Sequence, residues 1–181
     1  MEVGINEAAE KLSKTLKPNV EGLDSHAAVV VLLKSDSQDF QVLLVKRAER
    51  ATDPWSGQTA LPGGKRDPED RNMEETVVRE TLEETGINLF CCCRFLGVMC
   101  PQRSVQRPEM RILPFVVLLE GEQDIVLNEE LTEYFWVPLR RLVHSRDVVR
   151  FSFGEYPAYR VDGKVIWGLT YRILDKLINM L

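Results

Sequence analysis

Histidine is almost missing from this chain, with two in 181 residues. His26 and His144 stand far apart and outside any partner pattern, so each reads as a core or surface side chain rather than a catalytic or zinc-bound imidazole. Cysteine is scarce as well. The four thiols include the run Cys91-Cys92-Cys93, and neighbours in a strand point to opposite faces, which makes a poor disulfide or zinc pattern. Buried, unpaired thiols in a reduced, cytoplasmic protein are expected. No apolar run reaches membrane-spanning length, and Met1-Glu2-Val3-Gly4 lacks the basic and apolar regions of a signal peptide. The ending Asn179-Met180-Leu181 differs from a Ser-Lys-Leu address, so peroxisomal import is not expected. A basic excess is lacking too. The net charge of −5 weighs against nucleic acid as the main partner, since phosphate contacts need a basic surface.

What remains is an ordinary globular composition, 44% hydrophobic and 28% charged, on a chain long enough to bury a substantial core. Residues 1–22 read as an N-terminal helix (Ala8 to Leu16, with Ala9, Leu12 and Leu16 at helical spacing) and a linker broken by Pro18 and Gly22. The main domain is expected over 23–181. His26 to Leu33 and Phe40 to Val45 predict a hairpin around the turn composition of 34–39. Cys92 to Met99, Ile112 to Leu119 and Tyr134 to Val137 predict further strands, with a basic loop from Pro101 to Pro108. Asp162-Gly163 signals a hairpin between 158–161 and 164–167, and Leu169 to Leu181 a closing helix. The order suits an α/β fold with a mixed sheet between helices, a monomer or homodimer.

The densest chemistry lies between Gly63 and Ile87. Asn72 followed by Glu75 predicts a capped helix start, and Gly86 its stop. On that helix Glu80, Glu83 and Glu84 fall within an arc of roughly 100°. The other side, with Val77, Val78 and Leu82, is expected to pack on a sheet. Arg79 stands four residues before Glu83 and can orient that carboxylate. Crowded carboxylates repel unless a cation sits among them, and an all-oxygen set suits Mg²⁺ or Mn²⁺.

Gly64, Arg79, Glu80, Leu82 at a slightly shifted apolar position, Glu83, Glu84, Gly86 and Ile87 resemble the signature of the Nudix hydrolases. The acid following Gly64 is Asp70, and eight residues rather than the signature's seven separate it from Arg79. The resemblance implies a Nudix α/β/α sandwich, a metal bound by Glu80, Glu83 and Glu84 with a backbone carbonyl near Gly64, and catalysis by those groups with Arg79. Leu43-Leu44-Val45-Lys46-Arg47-Ala48 and Gly57-Gln58-Thr59-Ala60-Leu61-Pro62-Gly63-Gly64 are similar to the element preceding the signature in coenzyme A diphosphatases. Leu61 departs from the usual Phe, and the interval from Arg47 to Gly57 is longer by about one residue, with motif context as the guide.

The substrate implied is a small-molecule diphosphate, coenzyme A or an acyl derivative. Its phosphates would meet Arg47, the Gly63-Gly64 turn, and Arg103 and Arg107, because an arginine fork can hold two phosphate oxygens. Lys46 and Arg111 are further cations, and Glu129, Glu130 and Glu133 are candidates for a remote base. Trp55, Phe135 and Trp167 read as core or rim aromatics. Two other readings are open: a Nudix diphosphatase for ADP-ribose, NADH or nucleoside triphosphates, and a non-catalytic nucleotide-binding module.

Overall fold

A computed structural model describes residues 2–18, 24–36, 39–52 and 55–181. The expected break at Gly22, the boundary between 22 and 23, and part of the first hairpin turn lie outside the described residues.

The central strand is β1 (Ala27–Asp36), which alternates its side chains between two cores. Val31 and Leu33 enter one cluster, while Ala28, Val30 and Leu32 enter the other. A strand buried on both faces reads as a continuous apolar run, which is why 26–33 lacks polar alternation. On one side β1 pairs antiparallel with β2 (Asp39–Arg47), and on the other it pairs parallel with β7 (Arg111–Leu119). Two short strands, β3 (Thr59–Ala60) and β4 (Gly63–Lys65), attach to β2 and β1. β5 (Cys93–Val98) and β6 (Gln102–Arg103) pair with β7, so part of the expected basic loop is strand. β8 (Leu131–Pro138) pairs with β2 and completes a mixed sheet.

Helices cover both faces. α1 (Glu2–Thr15) buries Ala9 and Leu12 in the first cluster, together with Leu16 just beyond its end. α2 (Met73–Thr85) lays Met73 and Val77 on the second cluster. Beyond α3 (Leu139–Val143) comes a second sheet of β9 (Arg146–Phe151), β10 (Gly154–Val161) and β11 (Lys164–Trp167). The β10–β11 hairpin turns at Asp162-Gly163 as its sequence predicts. α4 (Gly168–Ile178) closes the first core with Ile173 and Leu177, whereas Leu181, expected on that apolar stripe, lies beyond the helix and is exposed.

Two expectations are corrected. Cys91, Cys92 and Cys100 are exposed and Cys93 is half-buried; the strand starts at Cys93, and Cys91 and Cys92 precede it in a turn with Cys92 at φ 55°. The helix face is the other. Leu82 is 46% exposed, while Thr81 is fully buried. At about 100° per residue Thr81 lies almost beneath Val77, four positions back, and Leu82 is rotated away from the sheet.

Candidate active site

The Gly63-Gly64 turn is built against the central strand. Val29 faces Gly63 and Ala28 faces Gly64 in the β1–β4 ladder. Gly63 sits at φ 137°, and a Cβ there would lie 2.2 Å from the Ala28 carbonyl oxygen, so only glycine fits. A Cβ on Gly64 would lie 2.3 Å from Glu80 Oε2. The carboxylate of Glu80 therefore rests directly on the turn's backbone.

α2 is aimed at this turn by its ends. Asn72 Oδ1 accepts the Glu75 N–H at 2.9 Å, and Gly86, left-handed at φ 74°, donates its N–H to the Leu82 carbonyl. The expected capping box is only half formed, because the Glu75 side chain accepts from the Arg71 N–H instead of the Asn72 N–H. Glu84 is 4% exposed and accepts the Gly63 N–H at 2.8 Å, joining helix to turn.

Arg79 is the hub of the carboxylates. Asp70 takes its Nε at 3.0 Å and an Nη at 2.8 Å, while Asp70 also accepts from the Thr76 hydroxyl and the Asp67 N–H. That arrangement holds the Asp70 carboxyl far below the usual carboxylate range, chiefly through Arg79, and raises the Arg79 guanidinium. The other Nη of Arg79 reaches Glu80 at 2.9 Å and Glu83 at 3.2 Å. The acid displaced by one residue in the signature is thus an anchor: Asp70 positions Arg79 from behind.

Glu80 and Glu84 face a cavity of about 480 Å³ walled by Arg47, Trp55, Gln58, Gly63, Gly64, Gln106 and Trp167, with Ile112 and Ile173 beneath. Glu83 stands outside that wall with its side chain 56% exposed. Arg47 does line the cavity, with Nη1 3.9 Å from Glu84 Oε1. Arg103 and Arg107 do not; their loop contributes Ser104, Val105, Gln106 and Met110. Arg107 lies over the Trp55 ring at 5.5 Å, and Arg111 is paired with Asp24. Of the three remote glutamates only Glu130 lines the cavity, since Glu129 lies beside Arg50 and Glu133 pairs with Lys164. His26 accepts the Arg111 N–H away from this wall.

The electrostatics are those of carboxylates held partly out of water. Burial pushes the Glu84 carboxyl up to about 7, against the Gly63 hydrogen bond and Arg47. Glu80 is raised too, again by burial first, with Arg79 opposing. Among the described residues no three acidic, histidine or cysteine side chains are gathered as a closed metal cage. The donor set nevertheless fits a hard divalent cation. Two partly desolvated carboxylates meet a backbone turn that glycine keeps open, and cations of this kind take few carboxylates plus substrate oxygens. Glu83 would join by turning from Arg79.

Sequence reasoning missed Trp55, Gln58, Gln106 and Trp167 as neighbours of one cavity. They come from three separate segments, Trp55 and Gln58 sharing one loop, and no local pattern joins the three. Asp70 carried a signal in its distance from Arg79, and Glu130 stood among three equivalent acids.

This architecture, a glycine turn feeding a carboxylate helix beneath a mixed sheet, matches the NUDIX domain family model over residues 24–156, and the chain belongs to that family. The peroxisomal coenzyme A diphosphatase ndx-8 of Caenorhabditis elegans is 32% identical over 86% of this chain and 72% of that protein. Nudix hydrolase 22, chloroplastic, of Arabidopsis thaliana is 30% identical over 82% of this chain and 52% of its own length. An uncharacterized protein of Schizosaccharomyces pombe is 34% identical over 70% of this chain, which spans only 44% of that relative. Among solved structures, the MutT protein of Methanosarcina mazei Go1 aligns at TM-score 0.53 and 21% identity, covering 90% of this chain and 94% of that one. These compartment names differ, so the expected cytoplasmic location does not follow from the family. Among the described residues no helix is long and apolar enough to cross a membrane.

Proposed function

We propose that this chain is a metal-dependent diphosphatase that hydrolyses coenzyme A or acyl-coenzyme A to 4′-phosphopantetheine and adenosine 3′,5′-bisphosphate. The observation that carries the hydrolytic part is the pair Glu80 and Glu84, both turned into one cavity beside Gly63 and Gly64. The substrate part is supported by the elements around Arg47 and Gly57 to Gly64 and by likeness to the nematode diphosphatase.

Mg²⁺ or Mn²⁺, held by Glu80, Glu84, Glu83 and a carbonyl near Gly64, would supply the positive charge needed to polarise a phosphoric anhydride and its attacking water. The chain's own residues do the positioning. Arg47 presents its guanidinium at the cavity wall beside Glu84, where its fork can hold a diphosphate. Asp70 fixes Arg79, and Arg79 in turn orients Glu80 and Glu83. Glu130 faces the same space and can take a proton from water. The small-molecule partner fits a cavity walled by two tryptophans and two glutamines; no nucleic acid is invoked.

Side-by-side turnover of coenzyme A and ADP-ribose with Mn²⁺, with the products identified by mass, tests the reading. Coenzyme A should be cleaved faster, yielding 4′-phosphopantetheine. Equal rates would remove the substrate assignment.

A further inference from the structure

A second cavity of about 880 Å³ adjoins the first, and the two share Gln58, Gln106 and Trp167 in their walls. Its floor is an aromatic rack. Phe151 and Phe153 stack with ring centroids 5.0 Å apart and planes 4° from parallel, and Trp167 lies 4.5 Å from Phe151. Tyr156 closes the cluster, 5.8 Å from Phe153 and 5.5 Å from Trp167. These rings are left open to solvent: Phe153 is 63% exposed, and neighbouring Val148 is 53% exposed. Contiguous exposed apolar surface of this kind marks a binding site more often than chance.

Two further observations choose the occupant. Charge in the groove is largely committed, with Lys164 on Glu133, Arg150 on Glu155 and Arg160 on Asp147. Val148, Phe151 and Phe153 give the lining an exposed apolar side that suits hydrocarbon better than phosphate, while Lys46, Ser56 and Thr59 line it elsewhere. The first cavity, about 480 Å³, has the size that serves a drug-like ligand, and a coenzyme A thioester exceeds that. Part of such a substrate must leave it, and Trp167 belongs both to its wall and to the ring cluster.

We propose that the groove of Val148, Phe151, Phe153 and Trp167 receives the acyl chain of a coenzyme A thioester whose diphosphate lies at Glu80 and Glu84. This rests on the function proposed above. Acyl-chain selectivity then resides in the second sheet, away from the catalytic helix.

The test measures kcat/KM with Mn²⁺ for coenzyme A, acetyl-coenzyme A and decanoyl-coenzyme A, below micelle-forming concentrations, for the unaltered chain, Phe153→Ala and Phe151→Ala. Phe153 lies in the β9–β10 turn and outside both buried core clusters, so its truncation spares the fold. The unaltered enzyme should favour the decanoyl thioester through a lower KM. Phe153→Ala should lose about tenfold on that substrate alone, the scale of a few apolar contacts in a pocket, with coenzyme A unchanged. A flat chain-length profile in the unaltered enzyme, a profile that survives both variants, or equal losses on every substrate would overturn the groove while leaving the diphosphatase reading intact. Absence of any turnover of coenzyme A and its thioesters would overturn both. Sedimentation of the same proteins supplies a last arm: a dimer that Phe153→Ala dissolves would mean a second copy covers the rings, and the acyl assignment would fall.

Discussion

Burial lifts the Glu84 carboxyl to about 7, while Arg79 holds the Asp70 carboxyl far below its ordinary value, so the two acids act in opposite directions and in separate pH windows. A raised acid favours its protonated form in the folded state. The metal-free chain should therefore lose stability as pH rises from 4.5 toward about 7, and change little above that from this group. Asp70 contributes stability above its unfolded value of 3.8 that is lost only as pH falls well below it. Urea unfolding at pH 5 and pH 7.5 without divalent ions should show the first slope, and Glu84→Gln should flatten it, leaving the part due to Glu80. Glu84→Gln should also lower turnover by at least about a hundredfold, as expected for removing a central electrostatic element; near-normal rates would refute its catalytic placement. Asp70→Asn should cost about 2 kcal/mol, since it weakens charge-assisted hydrogen bonds to Arg79, and should raise the Mn²⁺ concentration needed for half-maximal rate, because Arg79 is then free to wander over Glu80 and Glu83.

Two adjacent glycines in β4 do different work. A Cβ at Gly63 meets immovable backbone, the Ala28 carbonyl, at a φ of 137°. At Gly64 the same atom meets the end of the Glu80 side chain, which can swing aside. Gly63→Ala should therefore give a chain that unfolds at markedly lower urea concentration. Gly64→Ala should keep near-native circular dichroism while losing metal-dependent turnover, as the displaced carboxylate leaves its place. Finding both variants equally unstable would show that the turn's backbone, not the seat of Glu80, sets both requirements. Such elements were legible beforehand because their signals are local: the capping Asn72, the stop at Gly86, the Asp162-Gly163 turn and the apolar run of β1 each depend on a few neighbours. The inward turn of Thr81 in place of Leu82 was hidden, since the helix's phase is set by Met73 and Val77 against a distant sheet. The exposure of Cys92 was hidden likewise by a strand that starts one residue late. The meeting of Trp55 and Gln58 with Gln106 and Trp167 around one cavity has no local trace, since they come from three distant segments.

At the scale of the molecule, the sequence suggests a helix and linker ahead of a main domain, and the packing joins the helix to that domain in one core. Ala9, Leu12 and Leu16 are buried among Leu96, Met99, Leu174 and Leu177, and Lys17 bridges Val98 of β5 by two backbone hydrogen bonds. Gly97 makes room for this seat, because a Cβ there would lie 2.7 Å from Leu16 Cβ and from the Lys17 carbonyl. The same cluster contains Leu61, two residues before Gly63, so the N-terminal helix and the catalytic turn share a foundation. Leu12→Ala should remove about 3 kcal/mol, the usual cost of emptying a fully buried leucine site, read as a lower urea midpoint with an unchanged slope. Its kcat at low temperature, where the chain is still folded, should stay near that of the unaltered protein, because no described residue of α1 lines the cavity and the carboxylates stand on α2. A large drop in kcat in the folded variant would mean that α1 transmits strain through Leu61 to the glycine turn. A negligible shift in midpoint would mean instead that α1 adds little to the fold, and that the core it covers is stable without it.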